Sequence, residues 1–336
     1  VKIYPVVEAK DFIYGHRYGW LTPLLEAAEG FMLRPEPELR RVFAARLSLR
    51  HYLLRRHGVS LNGGVIVMDH GIMSQSFTET FSLPKTARNI VRIYKALGVD
   101  LGIAYDVPVR LYLGGEAPVD PAVKGALAKG VRELSRVAVE VGARRLREMV
   151  ETGREVGFLG LAPVVQGLFK DDVELSAEHS ISIMAEVSEE FVVAIGTGGR
   201  ALSWQDVELI RHAVDAVERY AKRHGVRAKI HLLGWSSPER LDLDIVKRIY
   251  SADSLTPRRR AVEGKAYVVY NGKLKLVNAK ELASYSCNCP ACRDPALRSY
   301  VLDPSGARRN DVRMVHNVHV LQKYLADIVR RPQTLI

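Results

Sequence analysis

The chain has 336 residues, 47% hydrophobic and 26% charged. That is the balance of a folded globular protein, with enough length for one large domain or two ordinary ones, and it excludes a disordered chain or a coiled-coil rod. No run of 18 apolar residues occurs and the opening VKIYPVVEAKDF has no signal-peptide core, so a cytoplasmic protein with no membrane partner is expected. Forty-nine Lys and Arg against 38 Asp and Glu leave a formal charge of +11, which favours polyanions such as nucleic acid as partners.

In chain order, the first strand-like run is VKIYPVV (1–7). The stretch carrying Arg40, Arg41, Arg46, Arg50, Arg55 and Arg56 reads as a charged helix facing solvent. Strand-like runs follow at VIVM (65–68), LGIAY (101–105), LGLAPVV (159–165), FVVAIG (191–196), KIHLLG (229–234) and IVKRIYSA (245–252). Between them, 121–150 has helical apolar spacing with Pro in its first turn, and 204–225 has the same spacing and stops on Gly225. KAYVVYNGKLKLVN (265–278) predicts a β-hairpin turning at Asn271-Gly272, and 314–331 predicts a closing helix. Strands alternating with helices argue for parallel βα units, and their number fits a (β/α)8 barrel of the α/β class; an open doubly wound sheet is the alternative. The expected division is a barrel formed by 1–264 and 314–336, with a small subdomain at 265–313.

Parallel βα folds place their chemistry at the carboxyl ends of the strands. Those ends carry Asp69-His70-Gly71, Asp106, Gln166-Gly167, Gly196 with the glycine turn after it, Gly234 and Asp253. Any one of these Asp residues could be only a helix N-cap. Three of them with a Gln point to an active site, where one carboxylate attacks or moves a proton and another holds substrate donors.

Cys287, Cys289 and Cys292 are the chain's only cysteines. His316 lies 24 positions after Cys292, and His319 is one helical turn further. Three thiolates and one of these imidazoles make a closed tetrahedral zinc site, which supports the fold and leaves no position for substrate.

Taken together, MDHG (68–71), AYDVP (104–108), VVQG (164–167), AIGTGG (194–199), HLLGWSSPERL (231–241), SADSLTPRRR (251–260), NGKLKLVNAKE (271–281), the Cys-Asn-Cys-Pro-Ala-Cys cluster and His316-Asn317 form an ordered set. This set resembles the tRNA-guanine transglycosylase superfamily across residues 60–325. The resemblance implies a modified (β/α)8 barrel with a zinc-binding subdomain near its C-terminal end. It also implies exchange of a guanine in a polynucleotide for a free 7-deazaguanine, 7-cyano-7-deazaguanine or similar. Asp253 matches the nucleophile and Asp69 the acid/base. Asp106 matches the carboxylate that reads the guanine edge, and Gln166 and the Gly196 backbone match the donors to the purine carbonyl. Met73 and Leu233 fall where the family sandwiches the flat base, with His70 on the substrate side in place of the usual Ser. Pro257 and Arg259 fit a Pro-x-Arg element, so the run Arg258, Arg259, Arg260 is a candidate phosphate contact. His316 becomes the preferred fourth ligand of a structural zinc. The partners implied are tRNA, or alternatively DNA, together with the free base and a second copy of the chain. A non-catalytic nucleic-acid-binding subunit is the remaining alternative, which loss of the nucleophile would mark.

Overall fold

The computed structural model describes residues 1–61, 63–69, 74–115, 118, 120–196, 206–236, 242–303 and 307–330. Nine parallel strand segments form the main sheet: β1 (Lys2–Val7), β2 (Gly30–Leu33), β3 (Val65–Met68), β4 (Leu101–Ile103), β5 (Leu161–Ala162), β6 (Val164–Val165), β7 (Glu190–Ile195), β8 (Arg227–Leu232) and β9 (Ser251–Ser254). Their spatial order is β5-β4-β3-β2-β1-β9-β8-β7-β6. The two ends of that order are one stretch of chain, interrupted at Pro163, which has no N–H to give to a ladder. Ala162 O accepts from Ala104 N on one side and Pro163 O accepts from Ala194 N on the other, each at 2.8 Å. The ring therefore closes through 161–165, and the nine segments fill the positions of a (β/α)8 barrel. An open sheet would leave two unpaired edges, so that alternative fails.

Side chains on the strands alternate with period two. Tyr4, Val6, Met32, Val67, Ile103, Ala162, Val164 and Ala194 meet inside the ring. Ile3, Val7, Phe31, Leu33, Ile66 and Met68 face outward into the larger core beneath the helices. The close fit of that outer layer shows at Gly102 in β4. A Cβ there would lie 2.0 Å from the ring of buried Tyr94 on helix Ala87–Leu97, and the Tyr94 hydroxyl donates to Ile103 O at 2.8 Å.

Several sequence expectations need correction. The run 245–252 is not one strand: helix Leu243–Arg248 occupies its first half and β9 begins at Ser251. Asp242 caps that helix by accepting from Asp244 N and Ile245 N, and Ile245 and Val246 bury themselves from a helix rather than a strand. β2 was not foreseen. The helix expected at 121–150 divides at Gly130 (φ 115°) into Pro121–Lys129 and Val131–Val156. The Arg-rich stretch forms two helices, Pro37–Ala44 and Leu49–His57, the second capped by Ser48.

After the barrel, β10 (Lys265–Tyr270) and β11 (Lys273–Asn278) pair antiparallel. Their turn places Asn271 at φ 51° and Gly272 at φ 71°, as a type I′ hairpin requires. The closing helix Ala307–Arg330 begins earlier than its apolar pattern suggested and packs on β10 and helix Thr256–Val262. Its Gln322 accepts from Ile3 N at 2.6 Å and donates to Val1 O at 2.9 Å, which fastens the closing helix to β1. No helix among the described residues is long and apolar enough to cross a membrane.

Candidate active site and metal centre

Asp253 is built into β9 between β1 and β8 and is 6% exposed. Ser251 and Asp253 are two residues apart, so they share one face of the strand, and His231 of β8 pairs with Ser251 in register. This juxtaposition forms a short polar chain. His231 Nδ1 lies 2.8 Å from Ser251 Oγ, and its Nε2 lies 3.2 Å from Asp253 Oδ1. The same Oδ1 accepts from Gly234 N at 2.8 Å. The Asp253 carbonyl accepts from Trp235 N at 2.8 Å, and Ser254 Oγ donates to Trp235 O at 2.5 Å, so the segment after β8 is laced to β9. His231 is fully buried and stacks on Tyr4, with ring centroids 5.8 Å apart.

Asp69 and Asp106 follow β3 and β4 on the same rim. Asp69 N continues the ladder by donating to Leu33 O at 3.1 Å. The Asp106 carboxyl is pushed up to about 6, first by desolvation and then by the like charge of Asp69, with Lys85 pulling the other way. Desolvation holds Lys85 below its usual range, while Asp106 and Asp69 draw it back up. Its Nζ sits 5.3 Å from the centre of the Tyr105 ring. Two carboxylates and one ammonium thus share a poorly hydrated mouth, where each sets the charge of the others.

Gln166 is buried, and with its amide turned to the orientation that satisfies both atoms it pairs with the Val107 backbone: nitrogen donates to Val107 O at 3.0 Å and oxygen accepts from Val107 N at 3.1 Å. It therefore props the segment that carries Asp106. The Gly196 N–H, expected to point at substrate, is used in the ladder to Val165 O at 3.0 Å. What Gly196 offers is its missing side chain: a Cβ would come within 3.3 Å of Leu233. Leu233 is half-buried against the barrel's inner cluster. Met73 and His70 lie outside the described residues, as do 197–199 of the glycine turn.

At the other end of β10, the Sγ atoms of Cys287, Cys289 and Cys292 lie 3.4 Å, 3.4 Å and 3.5 Å from His316 Nδ1. All four donor atoms fall within 4.8 Å of one another, a group able to hold a metal ion. A tetrahedral ion with bonds of about 2.0–2.3 Å needs donor separations of this size. The imidazole is already oriented for the task, because its Nε2 lies 2.8 Å from Tyr267 O, which leaves Nδ1 bare toward the thiols. His319 is not one of the four donors. The neighbouring Asn317 accepts from Tyr267 N at 2.8 Å and donates to Pro257 O at 3.1 Å, linking the metal centre to the helix that follows Asp253.

Residues 57–331 match the family described as queuine tRNA-ribosyltransferase. The chain belongs to that family. Among curated proteins, none matches the chain. The queuine tRNA-ribosyltransferase family is one of pentosyltransferases acting on nucleic acid and a free base, so the chain is an enzyme of the guanine-transglycosylase type.

In this queuine tRNA-ribosyltransferase relative, the three arginines at 258–260 separate. Arg258 turns inward and makes a two-pronged pair with buried Asp11 at 2.8 and 3.2 Å, with Asp311 at 3.6 Å. Arg260 pairs with Glu263 at 3.0 Å. Arg259 is exposed. Sequence reasoning missed two residues of the site, His231 and Lys85. His231 carried a weak signal, an imidazole inside a strand-like run two positions before its Leu-Gly end. Lys85, just ahead of a helix, carried none.

Proposed function

We propose that the protein exchanges a guanine within a polynucleotide, in the first place tRNA, for a free 7-deazaguanine base, through a covalent intermediate on Asp253. The observation that carries this reading is the Asp253 carboxylate. It is buried at a strand end with Oδ1 held by Gly234 and His231, while Oδ2 has no hydrogen-bond partner among the described residues. Such a carboxylate is a ready nucleophile for C1′ of a ribose. The Oδ2–C1′ bond forms as C1′–N9 breaks, the electron pair leaves with guanine, and Asp69 supplies the proton that N9 takes up. The incoming base then gives its N9 proton back to Asp69 and displaces the ester.

Asp106, as a carboxylate, accepts the N1–H and exocyclic amine of the guanine edge. Gln166 has a second Nε2–H beyond the one given to Val107, and this is the donor left for the purine carbonyl. Gly196 and Leu233 make room for the flat ring. The target nucleotide must leave its stack to enter the barrel mouth. Exposed Arg259 is the arginine of the 258–260 run best placed for phosphate, since Arg258 and Arg260 already face carboxylates. Cys287, Cys289, Cys292 and His316 would hold a zinc ion, which when bound supplies cross-linking of the C-terminal segment and no chemistry. Residues 265–313 act as the subdomain built around it, and the assembly is a homodimer, which sedimentation would test.

The deciding experiment offers labelled guanine and 7-cyano-7-deazaguanine with tRNA and with duplex DNA side by side. Incorporation into tRNA supports the reading; incorporation into DNA alone transfers it to DNA modification. Label in neither, from folded protein, removes base exchange and leaves the nucleic-acid-binding subunit. Asp253→Ala should abolish the covalent adduct while the thermal transition persists; an adduct that survives takes the nucleophile's role from Asp253.

A further inference from the structure

We propose that Ser251 and His231 form a positioning relay, which fixes Asp253 so that Oδ2 attacks and Oδ1 remains bonded to protein throughout the exchange. The inference rests on the nucleophilic reading of Asp253 and extends it to residues that the reading does not use. Two N–H groups converge on one oxygen: Gly234 N at 2.8 Å and His231 Nε2 at 3.2 Å, both to Oδ1. An ionised carboxylate only accepts, so Nε2 must carry a proton. In a neutral ring Nδ1 is then bare, and the Ser251 hydroxyl 2.8 Å away is the donor that satisfies it. Tyr4 stacks on the imidazole, so the ring plane is held. His231 and Ser251 are 0% and 1% exposed, so water cannot substitute for either bond.

This arrangement matters most after the first step. Once Oδ2 is joined to C1′, Oδ1 is the carbonyl oxygen of an ester and keeps its two N–H partners. As the incoming base attacks C1′, the Oδ2–C1′ bond breaks, its electron pair returns to the carboxylate, and negative charge reappears on Oδ1. Donors aimed at an oxygen whose charge grows toward the transition state speed that step without tightening substrate binding. His231 thus acts through Asp253, and its loss should affect turnover rather than affinity.

The test compares His231→Leu, His231→Gln and Ser251→Ala with the unaltered chain, on whichever nucleic acid accepts labelled base. His231→Leu should lower kcat about 100-fold, the usual effect of losing one such donor, with KM unchanged and the covalent adduct decaying more slowly. His231→Gln, which restores an N–H near the Nε2 position, should recover much of the loss, and Ser251→Ala should show a smaller one. Nitrogen-15 NMR of imidazole-labelled protein should find Nε2 protonated and Nδ1 bare, with Ser251→Ala keeping that tautomer and shifting the Nδ1 signal, since its hydroxyl donor is gone. Equal losses in His231→Leu and His231→Gln, a rise in KM in place of a fall in kcat, or a protonated Nδ1 in the unaltered chain would each overturn the relay. If His231→Leu does not fold, the Gln and Ser251 variants and the NMR measurement still decide. A chain that transfers no base to any nucleic acid defeats the functional reading instead, and the tautomer measurement then judges the relay alone.

Discussion

Asp106 shows how one residue's setting becomes a pH dependence. Its carboxyl is pushed up to about 6 by desolvation and by Asp69, and Lys85 resists that rise. Under the proposed reading of Asp106, guanine's two donors need the ionised form, so base recognition should be complete above about 6 and lost as pH falls through it. We expect kcat/KM to fall on the acid side with a midpoint near 6. Removing the opposing charge with Lys85→Met should move that limb to higher pH, which a pH profile of the variant reads directly. The carboxylates at 69, 106 and 253 were legible in the sequence because an Asp after a strand-like run in a parallel βα protein has few places to be. Lys85 and His231 were not, because what a Lys or His does depends on which carboxylate it faces, and each faces one from a different segment of the chain.

Between elements, close approach decides more than composition. β4 can lie against helix Ala87–Leu97 only because Gly102 has no side chain to meet Tyr94. Gly102→Ala should destabilise the fold by about 1–3 kcal/mol through overpacking, seen as a lower thermal midpoint with the exchange chemistry retained at low temperature. The same tight spacing hid β2. Its residues, GFML, are four apolar-leaning positions that follow helix Leu21–Ala27, and a run so short has no period to separate strand from helix. The segment 245–252 misled for the opposite reason: Ile245 and Val246 are β-branched, yet the Asp242 cap and burial on one helical face outweigh their strand preference. The hairpin at Asn271-Gly272 was legible because its turn demands two positive φ angles, a wholly local requirement.

For the molecule as a whole, the helix after β1 and the closing helix are held together by a polar device. Arg258, five residues after Asp253, clasps Asp11 from the helix after β1 and Asp311 from the closing helix. Arg258→Met would leave a buried carboxylate unpaired, at a cost of about 3 kcal/mol, the low end for a buried pair because the arginine keeps some contact with water. The sign with pH follows from Asp311, which sits at about 6 because desolvation and Asp11 raise it while Arg258 lowers it. Between about 6 and the ordinary carboxylate range the folded state holds a proton that the unfolded state does not, so the variant's deficit in chemical denaturation should shrink as pH falls through that window. At the metal centre, Cys292→Ser or a strong chelator should abolish metal content and lower the thermal midpoint, with protease cleavage appearing first near the hairpin; a chain equally stable with and without metal would leave the four donors no structural task. The sequence by itself determined what is local or ordered along the chain: most strand-like runs, the turn, the spacing of the thiols and the succession of motifs that marks the family. Tertiary structure alone decided the closure of the ring through Pro163, the turning of Arg258 from phosphate toward Asp11, the bonding of Gln166 to Val107, and the pairing of His231 with Asp253. Each of these joins groups from different barrel strands and helices, and only the folded ring sets the distance and desolvation between them.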